Sequence, residues 1–153
     1  MPIPLASFAQ YFRIGLELGI VAPDQVREWA ISVIDEMDEP PGEIIEISWR
    51  KPRSELITDL NEVKGDADFE LVRRWLLGTL SPSLRSADDH LEHVIRQAMG
   101  VARAVGNQDI YYVFDAIEDE LHLARTQVYG TVEECRESFN SALREFGTAP
   151  FVT

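Results

Sequence analysis

At 153 residues, 45% of them hydrophobic, the chain is long enough to bury a core as one domain over residues 1–153, needing neither metal nor disulfide. Its 27 Asp and Glu against 14 Lys and Arg give a formal net charge of -13, a field that repels nucleic-acid phosphates and anionic membranes and attracts basic partners. The single cysteine, Cys135, excludes an internal disulfide, and no stretch approaches the ~20 apolar residues of a membrane span, so a soluble cytoplasmic protein is expected.

Apolar residues recur at three and four along almost the whole chain, the period of helices that bury one face. Phe8, Tyr11, Phe12 and Leu16 mark a first helix, with Gly19 placed to end it. Pro23 suits the first turn of a second, whose inward stripe is Val26, Trp29, Ala30, Val33, Ile34 and Met37, and Pro40-Pro41-Gly42 stops it. Residues 43–49 read as a short helix or a strand; a helix is favoured because no partner strand is evident. Ser54 is placed to cap a helix carrying Leu56, Ile57, Leu60 and Val63. Asp66 or Asp68 opens the next, with Phe69, Val72, Leu76 and Leu80 inward. Ser86-Ala87-Asp88-Asp89 resembles a capping box with Asp in place of Glu or Gln and opens a long helix carrying Leu91, Val94, Ile95, Ala98, Val101, Ala102 and Val105, which Gly106-Asn107 closes. Another helix carries Ile110, Val113, Phe114, Ile117, Leu121, Ala124 and Val128, with Gly130 expected to stop it. Thr131-Val132-Glu133-Glu134 is a capping box for a last helix burying Val132, Cys135, Phe139, Ala142, Leu143 and Phe146, after which Gly147 and Pro150 release the tail. The expected fold class is therefore all-α: a single-domain bundle of about eight antiparallel helices joined by short Gly/Pro turns.

Catalytic motifs are scarce. There is no Gly-x-Ser-x-Gly elbow and no P-loop, and Cys135 lies on an apolar stripe as a structural thiol. No cofactor is expected. The three histidines offer the one alternative. Asp89, His90 and His93 can share a face of one helix, Asp119 and His122 lie three apart on the next, and facing helices can hold a metal with such groups. The ferritin-like Glu-x-x-His spacing is absent, however, and the apolar stripes point the histidines toward solvent. The segment Gly19 to Trp29 has the look of a helix-turn-helix, but its second helix exposes Asp24, Glu28, Asp35 and Glu36, a face DNA would repel.

The acid is distributed, with 15 acids against 8 bases over residues 1–80 and 12 against 6 over residues 81–153, so it belongs to the folded surface and not to a tail. Two concentrations are candidates for binding a partner. Asp35, Glu36, Asp38 and Glu39 crowd the end of the second helix, where the helix dipole disfavours them. Asp115, Glu118 and Asp119 form a stripe on a later helix.

The segment Leu18-Gly19-Ile20-Val21-Ala22-Pro23-Asp24, with Trp29-Ala30 and Pro40-Pro41, lies in a chain that resembles in type the small acidic helical immunity proteins encoded beside bacterial toxin genes. The resemblance covers about a fifth of the chain. It implies a bacterial protein that blocks a basic toxin by electrostatic complementarity, and it carries over no functional residue. The expected function is thus a non-enzymatic acidic module that binds a basic protein. The alternatives are a helical-bundle metal enzyme and a self-associating protein pairing through Ile44, Ile45, Ile47 and Trp49 as a homodimer.

Overall fold

The structure, a computed structural model, describes residues 3–81 and 90–151. Among these residues the chain is all-helical, with eight α-helices and no strand. They are α1 (Leu5–Glu17), α2 (Pro23–Glu36), α3 (Gly42–Ile47), α4 (Arg53–Asn61), α5 (Phe69–Leu80), α6 (Leu91–Ala104), α7 (Gln108–Arg125) and α8 (Val132–Phe146). Contacts divide the chain into two compact units, residues 1–72 and residues 73–153, with the boundary inside α5.

In the first unit α1 is the central element. Ala6, Ala9, Tyr11, Phe12, Ile14 and Leu16 are all buried. It packs antiparallel on α4, while α3 packs on both α2 and α4. Phe8 and Phe12 hold the Trp29 ring at centroid distances of 6.2 and 5.2 Å, which ties α2 to α1. As expected, Gly19 ends α1. At φ 73° it lets its own N–H reach the Leu16 carbonyl and the Ile20 N–H reach the Gly15 carbonyl, a Schellman closure that a side chain at this φ would strain. Arg53 adds its guanidinium to the same Leu16 carbonyl, 3.0 Å from Nε. Pro23 opens α2, and the Gln25 side chain accepts from the Ala22 N–H at 2.8 Å. Asp68 caps α5 by accepting from the Leu71 N–H at 3.1 Å, and its own N–H donates to the buried Ser7 hydroxyl.

Residues 42–47 are a helix, because the Pro41 carbonyl accepts from Ile44 and Ile45 to start a turn. Several expectations fail at helix ends. Met37 is not inward: it takes an extended conformation beyond the last turn of α2 and is 39% exposed. Ser54 is not the cap of α4, since the helix already begins at Arg53 on the Pro52 carbonyl. Phe69, in the first turn of α5, is exposed.

In the second unit α6, α7 and α8 form an up-down-up arrangement. Arg125 at the end of α7 meets Glu92 at the start of α6, and Cys135 of α8 meets Ile117 of α7, so successive helices run antiparallel. The core between them holds Val94, Ile95, Phe114, Leu121 and Phe139. Phe114 lies edge-on to Phe139 and Phe146 at 5.7 and 6.4 Å. Gly106 closes α6 as Gly19 closes α1, and Asn107 then caps α7 through the Ile110 N–H. Thr131 caps α8 as expected, its hydroxyl accepting from the Glu134 N–H at 3.1 Å, but the Glu134 carboxylate closes back on that same hydroxyl at 3.1 Å instead of on the Thr131 N–H that a full box would use. The Ser86–Asp89 box lies outside the described residues.

Two features of this unit depart from the sequence reading. α7 stops at Arg125, because Gln127 adopts a left-handed φ of 59° and supplies the closure expected of Gly130. Val128 therefore lies beyond the helix and is exposed, and Val113 flanks the buried stripe of α7 instead of joining it. The tail is also not released at Gly147. The Thr148 N–H donates to the Arg74 carbonyl at 2.9 Å, and Phe151 packs edge-on against the buried Trp75 at 5.3 Å. Gly78 makes that crossing possible, since a Cβ there would lie 1.7 Å from the Thr148 carbonyl oxygen.

Candidate functional site

The last turn of α2 holds Asp35 and Glu36, and the connection to α3 holds Asp38 and Glu39. All four side chains are exposed. No basic residue stands in the last turn, and among the described residues no ion pair reaches any of the four. The unsatisfied carbonyls of a helix end carry partial negative charge, so carboxylates there raise the helix's energy instead of lowering it. The run is reached from the rest of α2 by a continuous outer face. Glu28, Ile31, Ser32 and Asp35 recur at helical spacing and are all exposed. Ile31, 49% exposed, sits in the middle of that face. The nearest cation on the helix, Arg27, is engaged by Asp24.

The α7 stripe is different. Glu118 accepts from Arg96 Nε at 2.9 Å, Arg96 also pairs with Glu92 at 2.8 Å, and Glu92 reaches Arg125 at 2.9 Å. The result is an alternating ladder across α6 and α7. Glu118, then Glu92, hold the Arg96 guanidinium still more firmly protonated than usual. Asp119 and His122 line a groove of about 200 Å³ beside this ladder. Asp119 is exposed and Asp115 half-buried, and neither takes part in an ion pair among the described residues. Among the described residues, then, Asp35, Glu36, Asp38, Glu39, Asp115 and Asp119 stand outside ion pairs, while Glu118 is built into the fold.

Of the groups read as an alternative metal site, His90 and His93 are exposed at the start of α6, His122 is exposed on α7, and Asp89 lies outside the described residues. His90, His93, Asp119 and His122 do not gather into a ligand cluster among the described residues. One cluster that sequence reasoning missed brings one carboxylate oxygen each from Glu46, Asp59 and Glu62 within 4.8 Å of one another. Its signal was not legible in the sequence, because it needs α3 packed against α4. Lys51 pairs with Asp59, so part of that charge is already neutralised, and two of the three acids are exposed. The apolar face of Ile44, Ile45, Ile47 and Trp49 is half spent inside the fold. Ile44 and Ile47 are fully buried, leaving Ile45 and Trp49 outside, with Lys51 over the Trp49 ring at 5.6 Å.

Cys135 is fully buried, and its thiol donates to the Ile117 carbonyl at 3.4 Å. Burial, then the charge of Glu120, pushes its pKa up to about 11, so the reactive thiolate is scarce at neutral pH. A second hollow of about 210 Å³ at the α6–α7 turn is lined by Ala102, Arg103, Gly106, Asn107, Gln108 and Tyr111. Arg103 lies over the Tyr111 ring at 5.0 Å and donates to its hydroxyl, so its charge is held at the wall. Among the described residues no helix is long and apolar enough to cross a membrane. No protein-family model, curated protein or solved structure matches the chain.

Proposed function

We propose that this chain is a protein-binding module, acting by binding and not by turnover, that engages a basic partner through the acidic end of α2. One observation carries the reading: Asp35, Glu36, Asp38 and Glu39 stand exposed, with no ion pair among the described residues, at the end of a helix whose dipole disfavours them. Such charges lower the stability of the free chain and are relieved when a cationic surface covers them. The net charge of -13 would extend the attraction over longer range and speed encounter. The narrowest form of the proposal is an immunity-type role against a basic toxin.

The test uses the full chain as bait in extract from its source, beside a variant carrying Asp35→Asn, Glu36→Gln, Asp38→Asn and Glu39→Gln. The wild type should retain a basic protein that the variant loses, with an association rate that falls as salt rises. Equal retention by the two baits would remove α2 from the interface. A partner lost instead with Asp115→Asn and Asp119→Asn would move the site to α7.

A further inference from the structure

The outer face of α2 combines two features that the fold does not explain. The first is an apolar side chain left in water: Ile31 is half exposed in mid-helix, one residue beyond the buried Ala30. The second is the charge around it. Glu28 precedes Ile31 by three residues and Asp35 follows by four, both exposed and without ion pairs among the described residues, while Glu36, Asp38 and Glu39 continue beyond. Arg27, spent on Asp24, offers no compensation on this side. Met37, 39% exposed, adds a second apolar group at the same end of the helix. α2 meets α1 through Trp29, two residues before Ile31 and on a different side of the helix, and Glu28, Ile31, Ser32 and Asp35 are left exposed.

We infer that this face is a docking site for a basic amphipathic helix of a partner protein, one that seats an apolar side chain on Ile31 between two cations paired with Glu28 and Asp35. The inference rests on the reading of the chain as a module for basic partners and specifies the partner's shape. The charge selects the sign of the occupant, and Ile31 selects against a merely polycationic one, because a hydrated Lys or Arg gains nothing from an apolar neighbour. The spacing selects a helix. Glu28 and Asp35 are seven residues apart, a rise of ~10 Å, which a facing helix matches with cations at i and i+7 and an apolar residue at i+3 or i+4. Nucleic acid and anionic membranes, the other surfaces an apolar helix face can meet, are repelled by the same carboxylates.

The test titrates two synthetic helical peptides of identical composition into the full chain at low salt. One carries Lys at i and i+7 with Leu at i+3 and i+4; the other is scrambled so that Lys and Leu no longer share a face. The patterned peptide should bind about tenfold more tightly, the scale of one partly buried aliphatic contact. Ile31→Ser should erase that preference while leaving binding of the scrambled peptide unchanged, and Glu28→Gln with Asp35→Asn should weaken both. Equal affinity for the two peptides, or a preference that survives Ile31→Ser, overturns the inference but leaves the basic-partner reading standing. Failure of both peptides to bind overturns the inference and the reading together.

Discussion

The C-terminal end of α2 and the outer face of α7 each concentrate carboxylates, and the fold uses them in opposite ways. On α7, Glu118 is drawn into a ladder with Arg96, Glu92 and Arg125 that ties the α6–α7 hairpin together. At the end of α2 the carboxylates meet no cation among the described residues and oppose the dipole of their own helix. The contrast teaches that acidity by itself does not mark a binding surface. A carboxylate that a neighbouring helix already satisfies has little left to offer a partner. One that lowers the stability of its own helix has an interaction still to make.

The comparison can be broken at several points. The largest effect belongs to the core that sets the register of α7. Phe114→Ala removes the ring against which Phe139 and Phe146 pack and should cost about 3–5 kcal/mol, read from a urea unfolding curve. A shift below about 1 kcal/mol would mean that this core does not hold the ladder in place. A smaller loss, under about 1 kcal/mol, is expected for Glu92→Gln, which takes the shared carboxylate from both Arg96 and Arg125. Measured at low and at high salt, that loss should shrink as screening rises; a salt-independent loss would point to packing instead of charge. The smallest effect has the opposite sign. Asp35→Lys places a cation at the negative end of α2 and should raise stability by about 0.5 kcal/mol. Destabilisation there would show that Asp35 has a structural role after all, and the two regions would no longer differ in kind.

How much of this was legible beforehand follows from which physical terms act locally. The helical class, the turn glycines Gly19 and Gly106, and the Thr131 cap depend on residues a few positions apart, and each appears in the fold where the sequence places it. The unfavourable position of Asp35 and Glu36 is local too, since a helix dipole belongs to its own segment. Other features needed neighbours distant in sequence. The ladder pairs residues 92 and 96 with 118 and 125, and only the packed hairpin brings them together. Glu46, Asp59 and Glu62 converge only because α3 lies on α4. The α7 stop moved from Gly130 to Gln127 because a left-handed closure can form on a non-glycine residue when the turn that follows requires it. The tail, read as released after Gly147, is pinned to α5 because Gly78 lacks the side chain that would keep it away. Sequence alone thus determined the helices, the caps at Gly19, Gly106 and Thr131 and the distribution of charge, since those rest on periodicity and short-range bonds. Tertiary structure alone decided which acids are neutralised and that Ile31 is left in water, because pairing and burial depend on what each helix is packed against.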